Sequence, residues 1–283
     1  MPRQSIRRPA VAGSWYPRDP ETLRRDVTHY LGDASAVPGG EIIALIAPHA
    51  GLVYSGPVAA YAYKALERRA FPLAVLLGPS HFAAFEGIAV HPAGAFETPF
   101  GPLPVPDEAV DCITAAAPIA RVYAAAHARE HSLEMQLPFL GYLLPGIPIL
   151  PLLMGYQTRD TIVAVAEALA SAFEGRGVLL VASTDLSHFF PAEQALALDA
   201  RVQDFVGRFD PMGLLGAMEA YPEHERGRFV ACGGGPAVSV MLAAQRLGAR
   251  ESRVLRYAHS GDVSGDMSAV VGYLAAAIGN FDA

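Results

Sequence analysis

The chain has little cysteine: Cys112 and Cys232 are the only two in 283 residues. Two thiols cannot build a disulfide framework, and their scarcity fits a reducing compartment. No apolar run approaches the ~18 to 20 residues of a membrane span, and the opening MPRQSIRRPAVAGSW has basic residues without the apolar centre of a signal peptide. A cytoplasmic protein without membrane contact is the expectation. Positive charge is also short. With 21 Lys and Arg against 28 Asp and Glu the net charge is -7, and no basic cluster resembles a phosphate-tracking stripe, so nucleic acid is not an expected partner. A G-x-S-x-G elbow is missing, and Ser80, Ser187 and Ser260 each adjoin a histidine in sequence, which says nothing about a triad in space. The run Gly233 to Pro236 has neither the spacing nor the lysine of a phosphate loop.

What is present is a globular composition, 52% apolar and 17% charged, enough for a substantial core. Neither an internal repeat nor a linker divides the chain, so residues 1–283 read as one domain. The stretch Ile42 to Tyr54 organises it. Six apolar residues end at Pro48, which cannot continue a strand ladder, and His49 follows with Gly51 giving the backbone room to turn. The device recurs where Leu73 to Leu77 meets Gly78, Pro79 and His81. A third run, Val178 to Ala182, leads to Asp185 and His188. Ligands of open α/β sheets gather beyond the carboxyl ends of strands, so the three ends point to one shared site.

Helices are expected over 19–31, with Asp19 as N-cap and Pro20 at the first position, and over 56–69, 107–117, 158–173, 191–209, 211–221 and 236–247. Ser132 is a candidate cap for a helix carrying Leu133, Leu137 and Leu140. Pro38 to Gly40 reads as punctuation, 82–106 as irregular β hairpins with 87–90 a candidate strand, 121–126 as an exposed or strand-like link, 147–153 as a buried strand and 222–228 as a charged turn. Two closing strands flank a turn at 261–265. The fold class is α/β, a central mixed, largely parallel sheet flanked by helices. Trp15 and Tyr16 read as a structural aromatic pair filling a surface gap, in preference to an aromatic wall over the site.

Two imidazoles with an anionic group make a transition-metal site with open positions. His49 and His81 supply the imidazoles from what read as adjacent strand ends, and Asp185 and Cys232 compete for the third place. Cys232 enters a glycine-rich helix N-terminus, which favours its thiolate and suits it to bind metal or attack an electrophile. His188 and His131 are candidates for acid/base or supporting roles, with Asp185 placed to orient His188. His259 is a candidate for the rim, and His29, His91, His127 and His224 receive no role.

RRPAVAGSWYP, PHAGLVYSG, LLGPSHF, EHSLEMQLPFL, STDLSHF and CGGGP, in this order, span nearly the whole length, and with them the chain resembles the Memo family, also known as the B component of the AmmeMemoRadiSam system. The resemblance implies a fold similar to class III extradiol dioxygenases and a functional link to AMMECR-type and radical-SAM proteins. It implies metal on His49 and His81, Cys232 where those dioxygenases carry a glutamate ligand, His188 as acid/base histidine, His131 on the substrate side, and Asp185 as a further site residue. Iron (Fe2+) is the implied cofactor, with copper or zinc as alternatives. The function expected is a metal-dependent redox enzyme acting on a small substrate. A non-catalytic metal- or peptide-binding adaptor is the alternative, and a metal-free Cys232 nucleophile with His188 as its base is a third reading.

Overall fold

The computed structural model describes residues 5–35 and 39–282. Of the break expected at Pro38 to Gly40, Pro38 lies outside them, while Gly40, at φ +115°, opens the next strand. An arm with strand β1 (Ser5–Arg7) leads to helix α1 (Pro20–Asp33), where Asp19 accepts from Thr22 N as the predicted N-cap and Leu23, Val27 and Leu31 face inward. Then come β2 (Gly40–Ala47), α2 (Leu52–Lys64) and β3 (Ala74–Pro79). Helix α2 starts four residues earlier than Gly56. Gly51 caps it at φ -51°, so the turn after His49 uses none of glycine's left-handed freedom.

The excursion expected over 82–106 contains three short strands, β4 (Ile88–Val90), β5 (Gly94–Phe96) and β6 (Leu103–Val105). Next are α3 (Asp107–Ala116), β7 (Ala120–Val122) and α4 (Ala124–His127). A 3-10 turn (Glu134–Gln136) runs into α5 (Leu137–Leu143), so Ser132 caps no helix; its hydroxyl donates to Pro79 O instead. Strand β8 (Ile149–Met154), α6 (Arg159–Phe173) and β9 (Leu179–Ser183) follow. Beyond them lie β10 (His188–Phe190), α7 (Ala192–Gly207), α8 (Pro211–Glu219) and α9 (Glu223–Phe229), the last a helix where a charged turn was expected. Helix α10 (Gly234–Arg246), β11 (Glu251–His259), α11 (Gly261–Ser264) and β12 (Val270–Phe281) complete the chain.

The main sheet runs β10-β12-β2-β9-β3-β8-β4-β7, with β11 also on β12. Strands β2, β9, β3 and β8 are parallel, and β12 and β4 join antiparallel at either side, giving the mixed, largely parallel α/β sheet expected. Apart from Glu41 at the start of β2 and Ser183 at the end of β9, the central strands are apolar because helices cover both faces. Strands β2 and β3 are not neighbours: β9 lies between them. A separate three-stranded sheet, β1-β5-β6, pins the start of the chain.

Candidate metal centre

Four parallel strands open at one edge, and the side chains just beyond three of them converge. His49 follows β2, His81 follows β3, and between them β9 ends at Ser183 and is followed by Thr184 and Asp185. His131 arrives from the segment before the 3-10 turn. One ring nitrogen from each of His49, His81 and His131 lies within 4.8 Å of the others, a group that can hold a metal ion. The rings of His81 and His131 are stacked at 4.6 Å, with His49 edge-on to His81 at 5.3 Å.

Hydrogen bonds fix which nitrogen of His49 faces inward. Ser183 Oγ donates to Ser132 O (2.6 Å) and accepts from Gln136 Nε2 (2.7 Å), so its only proton is in use and it must also accept from His49 Nδ1 (2.9 Å). Nε2 of His49 therefore carries the lone pair, and it points at Cys232 Sγ, 3.2 Å away. Ligand atoms bound at about 2.0 Å (N) and 2.3 Å (S) to one ion stand roughly 3.1 to 3.6 Å apart, so the sulfur fits a shared ion. Burial, and then repulsion between its charged form and any charge on His81, His131 or His188, hold His49 well below the usual histidine range, in the neutral form a ligand needs. Burial likewise lowers His131 to about 4.

Glu130 is the residue that sequence reasoning missed. It is 2% exposed, and its carboxylate accepts from His81 N (2.6 Å), His81 Nδ1 (2.9 Å), His131 N (2.8 Å) and Ser132 N (2.9 Å). Burial opposes its ionisation, but His81 and these donors bring it down to about 2. Burial also opposes charge on His81, yet Cys232 and Glu130 outweigh it and raise the ring to about 10. The His81 Nδ1 proton is thus held by Glu130, and a metal on Nε2 would have to displace the second proton of the ring. The only sequence signal was a glutamate beside His131, and nothing there announced a partner 49 residues away.

Cys232 stands just before the N-cap of α10, as the glycine-rich entry implied. Gly233 is required because a Cβ there would lie 2.2 Å from Ser183 O. Gln157 ties the turn from both sides, donating to Cys232 O and accepting from Gly235 N, each at 2.7 Å.

Asp185 and His188 do not form the expected pair. Asp185 Oδ1 accepts from His49 N (2.7 Å), so the carboxylate holds the backbone after β2, and burial raises its pKa. The His188 ring donates instead from Nδ1 to Leu186 O (2.7 Å), which leaves its Nε2 free to accept a proton. His188 is close enough that a charge on its ring would oppose protonation of His49. Trp15 corrects the reading of the arm: its ring lies 4.3 Å from that of His131 and is 38% exposed, so it walls the site. Tyr16 is the structural member of the pair, 4% exposed and donating to Glu134 Oε1. His259 is not a member of the three-histidine group, and its Nδ1 lies 3.5 Å from Asp262.

Comparison with known proteins supplies relatives over nearly the whole chain. The family model of Memo-like proteins matches residues 7–277. A MEMO1 family protein of Methanothermobacter thermautotrophicus is 39% identical over 278 residues, 95% of this chain and 98% of its own. One of Methanopyrus kandleri is 36% identical over 281 residues, 95% and 97% of the two chains. The crystal structure of an uncharacterized protein from Escherichia coli K12 superposes with a TM-score of 0.61 at 17% identity, covering 84% of this chain and all of the other, a likeness of fold. Among the described residues no single helix is long and apolar enough to cross a membrane.

Proposed function

The chain belongs to the Memo family, and from that premise we propose that it is a metal-dependent redox enzyme acting on a small substrate, with the metal on His49, His81 and Cys232. The observation that carries the reading is the approach of Cys232 Sγ to the lone pair of His49 Nε2 beside a three-histidine group. Imidazole with thiolate suits iron, copper or zinc, and iron is the proposed ion; when bound it would supply one-electron chemistry. His131 either joins the donor set or faces the substrate under Trp15. Ser183 and Glu130 hold the His49 and His81 rings with Nε2 inward, Asp185 fixes the turn that carries His49, and His188 moves protons at Nε2.

Elemental analysis of protein purified anaerobically without chelator tests the reading. His49→Ala is expected to lower metal content at least tenfold, and unchanged stoichiometry overturns it. Exposed aromatics favour a second reading, a metal- or peptide-binding adaptor without turnover. Trp15 and Phe82 lie 4.3 and 5.9 Å from the His131 ring, and Phe189, 65% exposed, adjoins His188. Substrate-independent binding of a partner, lost on Phe82→Ala with metal retained, would favour that reading. A functional link to AMMECR-type and radical-SAM proteins is proposed on family grounds.

A further inference from the structure

Helix α7 buries a stripe made of Ala195, Asp199, Val202 and Val206. Three of these four positions pack as the helical period demands; the fourth is a carboxylate with no exposure. Placing a carboxyl group there costs free energy unless its oxygens are satisfied, so an apolar residue would serve packing better. Its partners show what it serves. Oδ1 accepts from Ser187 N at 2.9 Å, and Oδ2 accepts from Tyr257 OH at 2.8 Å. Among the described residues no side-chain cation pairs with it.

The strand opposite has been cleared for this group. A Cβ on Gly272 would lie 1.9 Å from Asp199 Oδ2. Gly272 is also where the segment before β10 is tied down: Leu186 N donates to Gly272 O (2.8 Å), and Gly272 N donates to Ser187 O (3.0 Å). Both peptide groups of Ser187 are therefore fixed, one by β12 and one by Asp199. The next residue is His188, whose ring is oriented by the carbonyl of Leu186. Phe189 then takes φ +62°, a left-handed conformation that a residue with a side chain adopts only when its surroundings impose it.

From these contacts we infer that Asp199 is a positioning residue for His188: by holding Ser187 N it keeps the imidazole on Leu186 O with Nε2 free. The inference rests on the proton-transfer role proposed for His188, but its contacts are independent of any metal. Burial raises the Asp199 pKa, while its hydrogen bonds to Ser187 and Tyr257 act the other way, as would a charge on His188.

Histidine-selective 15N NMR of the full-length protein reads the tautomer of His188 directly. The wild-type protein is expected to show the Nδ1–H form at least tenfold over the Nε2–H form. Asp199→Ala should bring the two within about threefold, and Asp199→Asn, which still offers an oxygen to Ser187 N, should restore the wild-type ratio. A wild-type ratio in folded Asp199→Ala overturns the inference, as does equal loss in both variants. Should Asp199→Ala not fold, Tyr257→Phe frees Oδ2 and should raise the minor form at least threefold; no change would overturn it. Metal content is measured on the same wild-type and variant samples. Wild-type protein that binds no metal while these tautomer shifts occur defeats the redox reading alone, and full metal with an unmoved ratio in the variants defeats this inference alone.

Discussion

Glu130 shows how much one buried side chain organises. Its oxygens take four hydrogen bonds, two from His81 and one each from the backbones of His131 and Ser132. Groups that orient metal ligands typically change affinity about 10- to 100-fold when removed. Glu130→Gln presents a donor where an acceptor is needed, so Fe2+ affinity should fall by about that factor. Trp15, the only tryptophan and in contact with His131, supplies the signal as emission quenched on metal addition. Unchanged titration curves would remove Glu130 from the site. Cys232→Ser tests the sulfur separately: a thiolate–metal charge-transfer band, expected in the wild-type protein with Fe3+ or Cu2+, should vanish while His49 and His81 retain weaker binding.

The arm, residues 7–16, is the element on which the wall of the site depends. Glu134 is wholly buried and accepts from Ala10 N, Val11 N and Tyr16 OH, while its carboxylate pairs with Arg7 at 2.8 Å. Removing one partner of a buried ion pair typically costs about 3 to 5 kcal/mol. Glu134→Ala should therefore lower the denaturation midpoint strongly and free the arm, making Trp15 emission red-shifted and more readily quenched by acrylamide. Stability lost with an unmoved Trp15 spectrum would contradict the anchoring role. Much of this scale was legible in the sequence: β2, β3 and β9 are continuous apolar runs with histidine or aspartate just past their ends, because parallel strands covered on both faces need no polar alternation. Strand order was not legible. Local residues do not say that β9 separates β2 from β3, since that follows from how helices pack over 100 residues apart in sequence. For the same reason Ser183 and Glu130 escaped notice, and α9 was hidden by a polar composition that buries no residue.

At the scale of the whole molecule, imidazoles that fold into the interior without charge weaken the fold in acid. Burial lowers His127 to about 3 and His91 to about 4, and the Arg7 guanidinium adds to both shifts. In the unfolded chain each titrates near 6.5. The unfolded state thus binds more protons below that pH. Their contribution is full above pH 6.5 and is lost as pH falls toward 4 and then 3, a loss on the order of a few kcal/mol. Urea midpoints should decline over this interval, and His127→Gln should flatten the slope relative to wild type even if it is less stable at pH 7. Parallel slopes would show that His127 charges freely in the folded state.

The last strand, β12, pairs antiparallel with β2, β10 and β11. A nascent chain therefore makes His49 early, Cys232 much later, and the support for both His49 and His188 last of all. Until residues 270–281 have left the ribosome, β2 lacks one of its two neighbours and His188 has no strand to lean on. If the proposed centre holds its ion, acquisition would then follow translation rather than accompany it, and a chain truncated before Val270 would be expected to lose the ion although the proposed ligands are present.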